Sequence, residues 1–175
     1  MRVVAALGCI VLALAACRQP GPEADPEQES APAPAPVVPA RVTPADFQSL
    51  RWLEGYWRGT GGDVPAFHEG YQFVNDSTIR GLLFTDSTLA EVADSIRIVV
   101  SGGVLTSGGA ATTATATATE IDADHVHFVR EGGGGTYTWT RESPTAWSAH
   151  LTATMLGQQQ ERTYRMERIE APPGH

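Results

Sequence analysis

The segment LRWLEGYWRGTG, residues 50–61, decides how this chain is expected to fold. Its two tryptophans, Trp52 and Trp57, carry large apolar side chains that are usually buried. Gly55 and Gly59 stand beside Tyr56 and Arg58 in the same segment, and glycine lets one backbone approach another closely. We therefore interpret Trp52, Gly55, Trp57 and Gly59 as determinants of the fold rather than as ligand contacts.

A short helix is predicted just before and into this segment. The run TPAD at residues 43–46 resembles a helix cap with proline in the first turn, and Phe47, Leu50 and Leu53 follow at helical spacing. Beyond residue 55 the hydrophobic period changes to about two, which is typical of strands.

Nine strands are predicted from this alternation, and turn-forming residues separate them. Among the predicted turns are SGG at residues 101–103 and SGG at residues 107–109. Many short strands at hairpin spacing predict an all-β fold, an antiparallel meandering β-barrel of about eight to ten strands with a short N-terminal helix. A sandwich of two sheets is the alternative. The predicted strands are residues 56–60, 67–74, 78–84, 95–100, 112–121, 125–130, 136–141, 146–155 and 159–169.

The late strands have one apolar face each. In the strand predicted at 146–155, alternate residues from Trp147 through Leu151 to Met155 are apolar, and Trp139 lies on the apolar face of the strand before it. An alternation of alanine and threonine at 113–119 places only small groups on one face. Small inward side chains leave room for a ligand, although an edge strand exposed to solvent is the alternative. We take Trp139, Trp147, Leu151 and Met155 as candidate ligand contacts.

The same opening segment, residues 50–61, resembles the start of calycin-like proteins, in which a short helix plugs the barrel and a Gly-x-Trp-x-Gly strand packs its tryptophan across the end. It is most similar to a bacterial family of small exported proteins that begin Trp-Leu-x-Gly-x-Trp. That family often continues with an acidic-aromatic strand, here EGYQF at 69–73, and a glycine-containing strand, here IRGL at 79–82. The resemblance implies a calycin-like barrel, of the kind seen in lipocalins, fatty-acid-binding proteins and nitrobindins. The chain departs from the family at 131–135, where EGGGG replaces a His-Asp-Phe-Pro loop, so no function of that loop is carried over.

Arg162 and Tyr164 are a further candidate pair for a ligand. They resemble the Arg-x-Tyr pair with which fatty-acid-binding proteins hold a carboxylate, and residues two apart on a strand share a face. The alternative is a solvated strand in which Arg162 lies among Glu161 and Glu167.

The histidines offer a weaker hypothesis. His125 and His127 share one face of a strand, as metal ligands sometimes do, but Val126 and Phe128 occupy the apolar face and no third ligand is identified. His150 resembles the late haem ligand of nitrobindins, yet a full strand follows it here. We therefore predict no cofactor and no metal.

The N-terminus resembles that of a bacterial lipoprotein precursor. Residues 1–16 have a positive start and an apolar run too short to span a bilayer permanently. The run ends in LAAC at 14–17, which resembles a lipobox and predicts that Cys17 is lipidated. Arg18, rather than an aspartate, favours the outer membrane, with the protein on its periplasmic side. An ordinary secretory signal with a coincidental cysteine is the alternative.

The remaining organisation follows from composition. After the lipidated Cys17, residues 18–43 are rich in proline and acidic residues and are expected to form a disordered tether. Residues 44–170 are expected to be the barrel domain and 171–175 a disordered tail. Because Cys9 leaves with the signal and Cys17 carries lipid, no disulfide is expected.

Several function classes are disfavoured at this level. A formal net charge of −8 without a basic stripe argues against nucleic acid as a partner. There is no Gly-x-Ser-x-Gly motif and no recognisable nucleophile-histidine-acid set, so nothing indicates an enzyme. The leading hypothesis is a tethered barrel that binds a small apolar or amphipathic molecule. The alternatives are a solid barrel that serves as an interaction module of the cell envelope, and a haem or metal protein.

Overall fold

The predicted N-terminal helix is present and is capped by Thr43. In the computed structural model, which describes residues 36–109, 115–155 and 158–172 except the side chain of Met155, helix α1 spans Pro44–Ser49 and runs into a 3₁₀ turn, Leu50–Leu53. The Asp46 N–H donates to the Thr43 hydroxyl at 3.2 Å, and the Thr43 N–H donates to the Asp46 carboxylate at 2.8 Å. This reciprocal pair satisfies N–H groups that a helix start would otherwise leave free.

Ten antiparallel strands form a closed barrel in the described residues. Each strand pairs with the next along the chain, and β1 pairs with β10 to close the ring. The structure thus confirms an all-β meandering barrel with a short N-terminal helix and excludes the two-sheet sandwich. The strands are β1 (Gly55–Gly61), β2 (Phe67–Asn75), β3 (Thr78–Phe84), β4 (Val92–Ser101), β5 (Val104–Gly109), β6 (Ala116–Ile121), β7 (His125–Arg130), β8 (Thr136–Ser143), β9 (Ala146–Met155) and β10 (Gln158–Ile169).

The strand β5 was not among the nine predicted. The segment SGG at 107–109 was predicted to be a turn, and that prediction is wrong, because Ser107 pairs with Ile98 and Gly108 pairs with Arg97 in the ladder with β4. Small, flexible residues are typical of turns, but here the pairing with β4 holds them extended. The strand predicted at 112–121 is described from Ala116 onward, and residues 110–114 lie outside the described part.

One end of the barrel is plugged by the N-terminal helical segment. Phe47, Leu50 and Leu53 are fully buried there. The Trp57 indole N–H donates to the Leu53 carbonyl at 2.7 Å, which ties β1 to the plug. Below them the inward residues of the strands complete an apolar core.

The packed region begins before residue 44. The Ala40 N–H donates to the Ala118 carbonyl at 2.8 Å, and the Val42 N–H donates to the Gly103 carbonyl at 2.9 Å. The Val42 side chain is only 4% exposed. The last residues of the predicted tether therefore belong to the folded region, whereas Cys17 lies outside the described residues. No helix in the described part is long and apolar enough to cross a membrane.

Candidate functional site

The barrel encloses a cavity of about 580 Å³ toward the end opposite the helical plug. This volume is within the range of pockets that hold small ligands, about 300–1,000 Å³. Each strand from β2 to β10 contributes residues to its wall, and Val64 and Pro65 of the β1–β2 connection lie at its open end.

Small side chains in the half of the barrel away from the plug account for this space. Gly81, Ser107, Gly109, Ala116 and Ala149 occupy inward positions where large residues would fill the interior. Ala116 is the described start of the alanine-threonine alternation, and it is 2% exposed and lines the cavity. Inward alanines at this level thus leave room, as the alternation indicates.

Aromatic rings form the floor of the cavity. The Trp147 ring makes edge-on contacts with Trp57, Tyr71 and Trp139, with ring centroids 6.0, 6.0 and 5.7 Å away. Trp52 packs against Trp147 from the plug side, with centroids 6.0 Å apart. Such edge-to-face pairs add to the stability from burial alone and hold the rings in fixed positions. The floor is therefore a closely packed aromatic surface that is largely apolar.

Glu69 is an acidic residue on the inner wall. It lies on β2 between Phe67 and Tyr71, and the Tyr71 hydroxyl donates to its Oε2 at 2.8 Å. Burial raises the pKa of the Glu69 carboxyl, and the hydrogen bond from Tyr71 opposes that rise only in part. Burial, together with the nearby Glu69 charge, also raises the pKa of Tyr71 well above its ordinary value.

Asp94 is a second acidic residue on the wall. The cross-strand pairs place Glu69 opposite Leu83, and Leu83 opposite Asp94, so the two carboxylates lie at one level on either side of β3. Strands two apart are separated by about 10 Å. A side pocket of about 120 Å³ lies between them and is bordered by Glu69, Asp94 and Gly81, where β3 has no side chain.

Arg130 is the cation on the cavity wall. Its guanidinium carbon lies 5.8 Å from the centroid of the Tyr137 ring. Burial raises the pKa of Tyr137 to about 12, while a hydrogen bond with Ser107 and the charge of Arg130 act in the opposite direction. In the described part of the chain Arg130 forms no salt bridge with Glu69 or Asp94.

The structure brings four of the six candidate ligand contacts together. Trp139, Trp147, Leu151 and Tyr164 all line the cavity, and Tyr164 also packs edge-on against Phe67 at 5.4 Å. The remaining two are Met155, whose side chain lies outside the described residues, and Arg162.

Arg162 does not line the cavity with Tyr164. It is exposed and borders a shallow groove with Asp63 of the β1–β2 connection. The cause is the length of the last hairpin, because β1 pairs with β10 only from Tyr164 onward, and β8 pairs with β9 only as far as Thr152. Arg162 therefore lies just beyond the end of β1, on the edge of β10 beside Asp63, while it pairs with Leu151 of β9 on the other side.

Three of the four fold determinants, Trp52, Gly55 and Trp57, contact one cation that the sequence did not single out, Arg168. The Arg168 guanidinium lies 4.2 Å from the centroid of the Trp57 ring and donates to the carbonyls of Glu54 at 2.7 Å and Trp52 at 3.1 Å. Gly55 has φ +121°, and a side chain there would collide with this guanidinium. Gly59 is buried, and the Phe67 ring occupies the space that a side chain would need.

The histidines lie away from the cavity. His125 Nδ1 is 2.6 Å from Asp122 Oδ2, and His127 Nδ1 is 2.6 Å from the Thr138 hydroxyl. His150 is exposed, with Nε2 3.6 Å from Glu161 Oε2. Among the described residues no group of three metal-ligating side chains comes together.

Comparison with known proteins gives weak similarity to solved structures. No family model matches the chain, and no curated protein matches it significantly. Among solved structures, a redesigned beta barrel, b11L5F_LGL, is 17% identical with a TM-score of 0.32, over 68% of this chain and 93% of the other. The structure of EF1p2_mFAP2b bound to DFHBI is 17% identical with a TM-score of 0.35, over 70% of this chain and 98% of the other.

Sequence reasoning missed the polar part of the site. Glu69, Asp94 and Ser107 all line the cavity. A signal was present for Glu69, since it alternates with Phe67, Tyr71 and Phe73, and residues two apart share a face. Ser107 was hidden by its interpretation as a turn.

Proposed function

We propose that this chain is a lipoprotein tethered to the outer membrane, and that its barrel binds a small apolar or amphipathic molecule without catalysing a reaction. The cavity of about 580 Å³ carries the binding part of the proposal. Its fixed aromatic floor and few polar groups are typical of sites that bury most of a small ligand. The cavity also disfavours the solid barrel that an interaction module would have.

Binding can be tested with N-phenyl-1-naphthylamine, a neutral apolar fluorophore whose emission rises in a dry site. We expect saturable binding by the full chain. Ala149→Phe places a ring in the cavity, because Ala149 is 6% exposed and lines the wall. It should weaken binding by about tenfold or more.

The matched control is Ala93→Phe, which adds the same ring at an exposed position on β4. It should leave the affinity unchanged. Equal affinities of all three proteins, or no saturable binding by the wild type, would overturn the binding proposal.

The anchoring part of the proposal rests on LAAC at 14–17 and on the Pro-rich acidic tether that follows it. Two or more acyl chains on Cys17 would hold the protein stably on a membrane. In cells fed radiolabelled palmitate, the wild type and Cys9→Ser should both be labelled and sediment with outer membranes. Cys17→Ser should carry no label. A labelled Cys17→Ser protein would contradict lipidation at this residue.

A further inference from the structure

The charged groups inside the cavity indicate what kind of ligand it takes. Glu69 and Asp94 lie on its wall at one level, and among the described residues Arg130 is the one basic side chain that lines the cavity with them. Two acidic side chains against one basic side chain leave the wall with an excess of negative charge, and the predicted carboxylate partner Arg162 does not line the cavity.

Both interior carboxylates have free acceptor capacity. Within the described residues, Glu69 accepts one hydrogen bond, from the Tyr71 hydroxyl, and Asp94 accepts one, from the adjacent Ser95 N–H at 2.7 Å. Neither forms a salt bridge there. Asp94 is half-buried, whereas Glu69 is held in surroundings that penalise its charge. A buried carboxylate is costly without a partner, and a carboxylate can accept about four hydrogen bonds.

The space between the carboxylates is suited to a small charged group. The side pocket of about 120 Å³ opens where Gly81 removes a side chain from β3, and it is bordered by the Tyr71 ring and by Leu83, the β3 residue that pairs with both Glu69 and Asp94. A side chain at position 81 would collide with Ile96 and press on Tyr71. The pocket is several times larger than the volume of about 30 Å³ that one water takes up in the liquid.

The aromatic floor also favours a positively charged ligand. Tyr71, Trp139 and Trp147 present rings to the cavity, and the faces of aromatic rings attract cations, most strongly when water is excluded. An apolar chain beside the charged group would pack on the same rings.

We infer that the barrel selects an amphipathic organic cation, with an ammonium group in the side pocket between Glu69 and Asp94 and an apolar body on the aromatic floor. This inference rests on the proposed function and narrows it to a ligand class. It also gives a reason for Gly81 and two acidic residues to line one part of a cavity whose floor is aromatic.

The test uses three eight-carbon competitors against N-phenyl-1-naphthylamine: octyltrimethylammonium, octanol and octanoate. The protein is the full chain with Cys17→Ser, which prevents lipid attachment. We expect octyltrimethylammonium to displace the fluorophore at a concentration about tenfold lower than octanol does, with octanoate the weakest.

Two variants test whether Glu69 and Asp94 cause the preference for the cation over octanol. Glu69→Gln keeps an acceptor for the Tyr71 hydroxyl, and Asp94→Asn keeps one for Ser95, while each removes a charge. Each should abolish most of the preference for the cation and leave octanol competition unchanged. Glu170→Gln makes the same charge change at an exposed position after β10 and should retain the full preference.

The outcomes separate the two proposals. If octanol or octanoate competes as well as the cation, or if both Glu69→Gln and Asp94→Asn keep the preference, the cation inference is wrong and the binding proposal stands. If the fluorophore does not bind, or if it binds and none of the three displaces it from the cavity, the binding proposal and the inference fail together. Using two variants at different strands keeps the test decisive even if one of them does not fold.

Discussion

At the scale of single residues, Arg168 contributes most clearly to the plugged end of the barrel. Its guanidinium donates to three carbonyls, those of Trp52, Glu54 and Pro144, and covers the Trp57 ring. Arg168→Ala should lower the free energy of unfolding by about 2–3 kcal/mol, because charged hydrogen bonds and a cation–π contact are lost together. Urea denaturation measures this change.

The control for that prediction lies on the same strand. Arg165 is exposed, and its guanidinium lies 3.7 Å from the Glu142 carboxylate and 3.4 Å from the Glu167 carboxylate. Arg165→Ala should change the free energy of unfolding by no more than about 0.5 kcal/mol. Equal losses for the two variants would show that Arg168 acts as an ordinary surface charge.

Glu69 is expected to make stability depend on pH. Its folded pKa is raised by burial, so the native state binds this proton more tightly than the unfolded state. The associated stability is fully present below the ordinary glutamate pKa of about 4.3 and is lost as the pH rises through the higher folded pKa. Glu69→Gln should therefore be more stable than the wild type near neutral pH, and the difference should vanish in acid.

Denaturant titrations at several pH values check this expectation, with Glu170→Gln as the exposed control. If Glu69→Gln does not raise the free energy of unfolding at neutral pH, burial of the ionised Glu69 carboxylate does not destabilise the wild type. The comparison isolates the charge, since glutamine keeps an acceptor for the Tyr71 hydroxyl.

At the scale of elements, the β7–β8 connection depends on one of its glycines far more than on another. Gly135 has φ +114°, and a side chain there would collide with the backbone carbonyl of Thr152 on β9. Gly132 has φ +72°, but nothing lies near its missing side chain. Gly132→Ala should cost about 1 kcal/mol of stability from backbone strain, and Gly135→Ala about 3 kcal/mol or more once the collision is added. Similar thermal midpoints for the two variants would contradict this difference.

The predictability of the strands depended on how regular their inner faces are. Strand β9 alternates cleanly from Trp147 to Leu151, so its cavity-facing side was evident from sequence. Strand β5 was missed because Ser107 and the glycines after it have the composition of a turn, and only pairing with β4 makes them a strand. Local composition could not reveal that partner.

At the scale of the whole molecule, the placement of Glu69 and Asp94 at one level of the cavity wall could not be predicted from sequence. An acidic residue on a strand usually faces water, and Glu69 and Asp94 are twenty-five positions apart in the chain. They lie at the same level because β2, β3 and β4 pair in a particular register, in which Leu83 is the neighbour of both. A shift of one residue in either pairing would turn one carboxylate outward.

The boundary between tether and barrel is also a property of the whole molecule. The composition of the chain placed the domain start at residue 44, but Val42 is 4% exposed whereas Val38 is 76% exposed. Val42→Ala should lower the free energy of unfolding by about 2 kcal/mol, because two buried methyl groups are lost and a small void is left. Val38→Ala makes the same change on the exposed side and should have no measurable effect in the same denaturant titration. Because Val42→Ala keeps the backbone N–H bond to the Gly103 carbonyl, unchanged stability of both variants would show that burial of the Val42 side chain does not stabilise the fold.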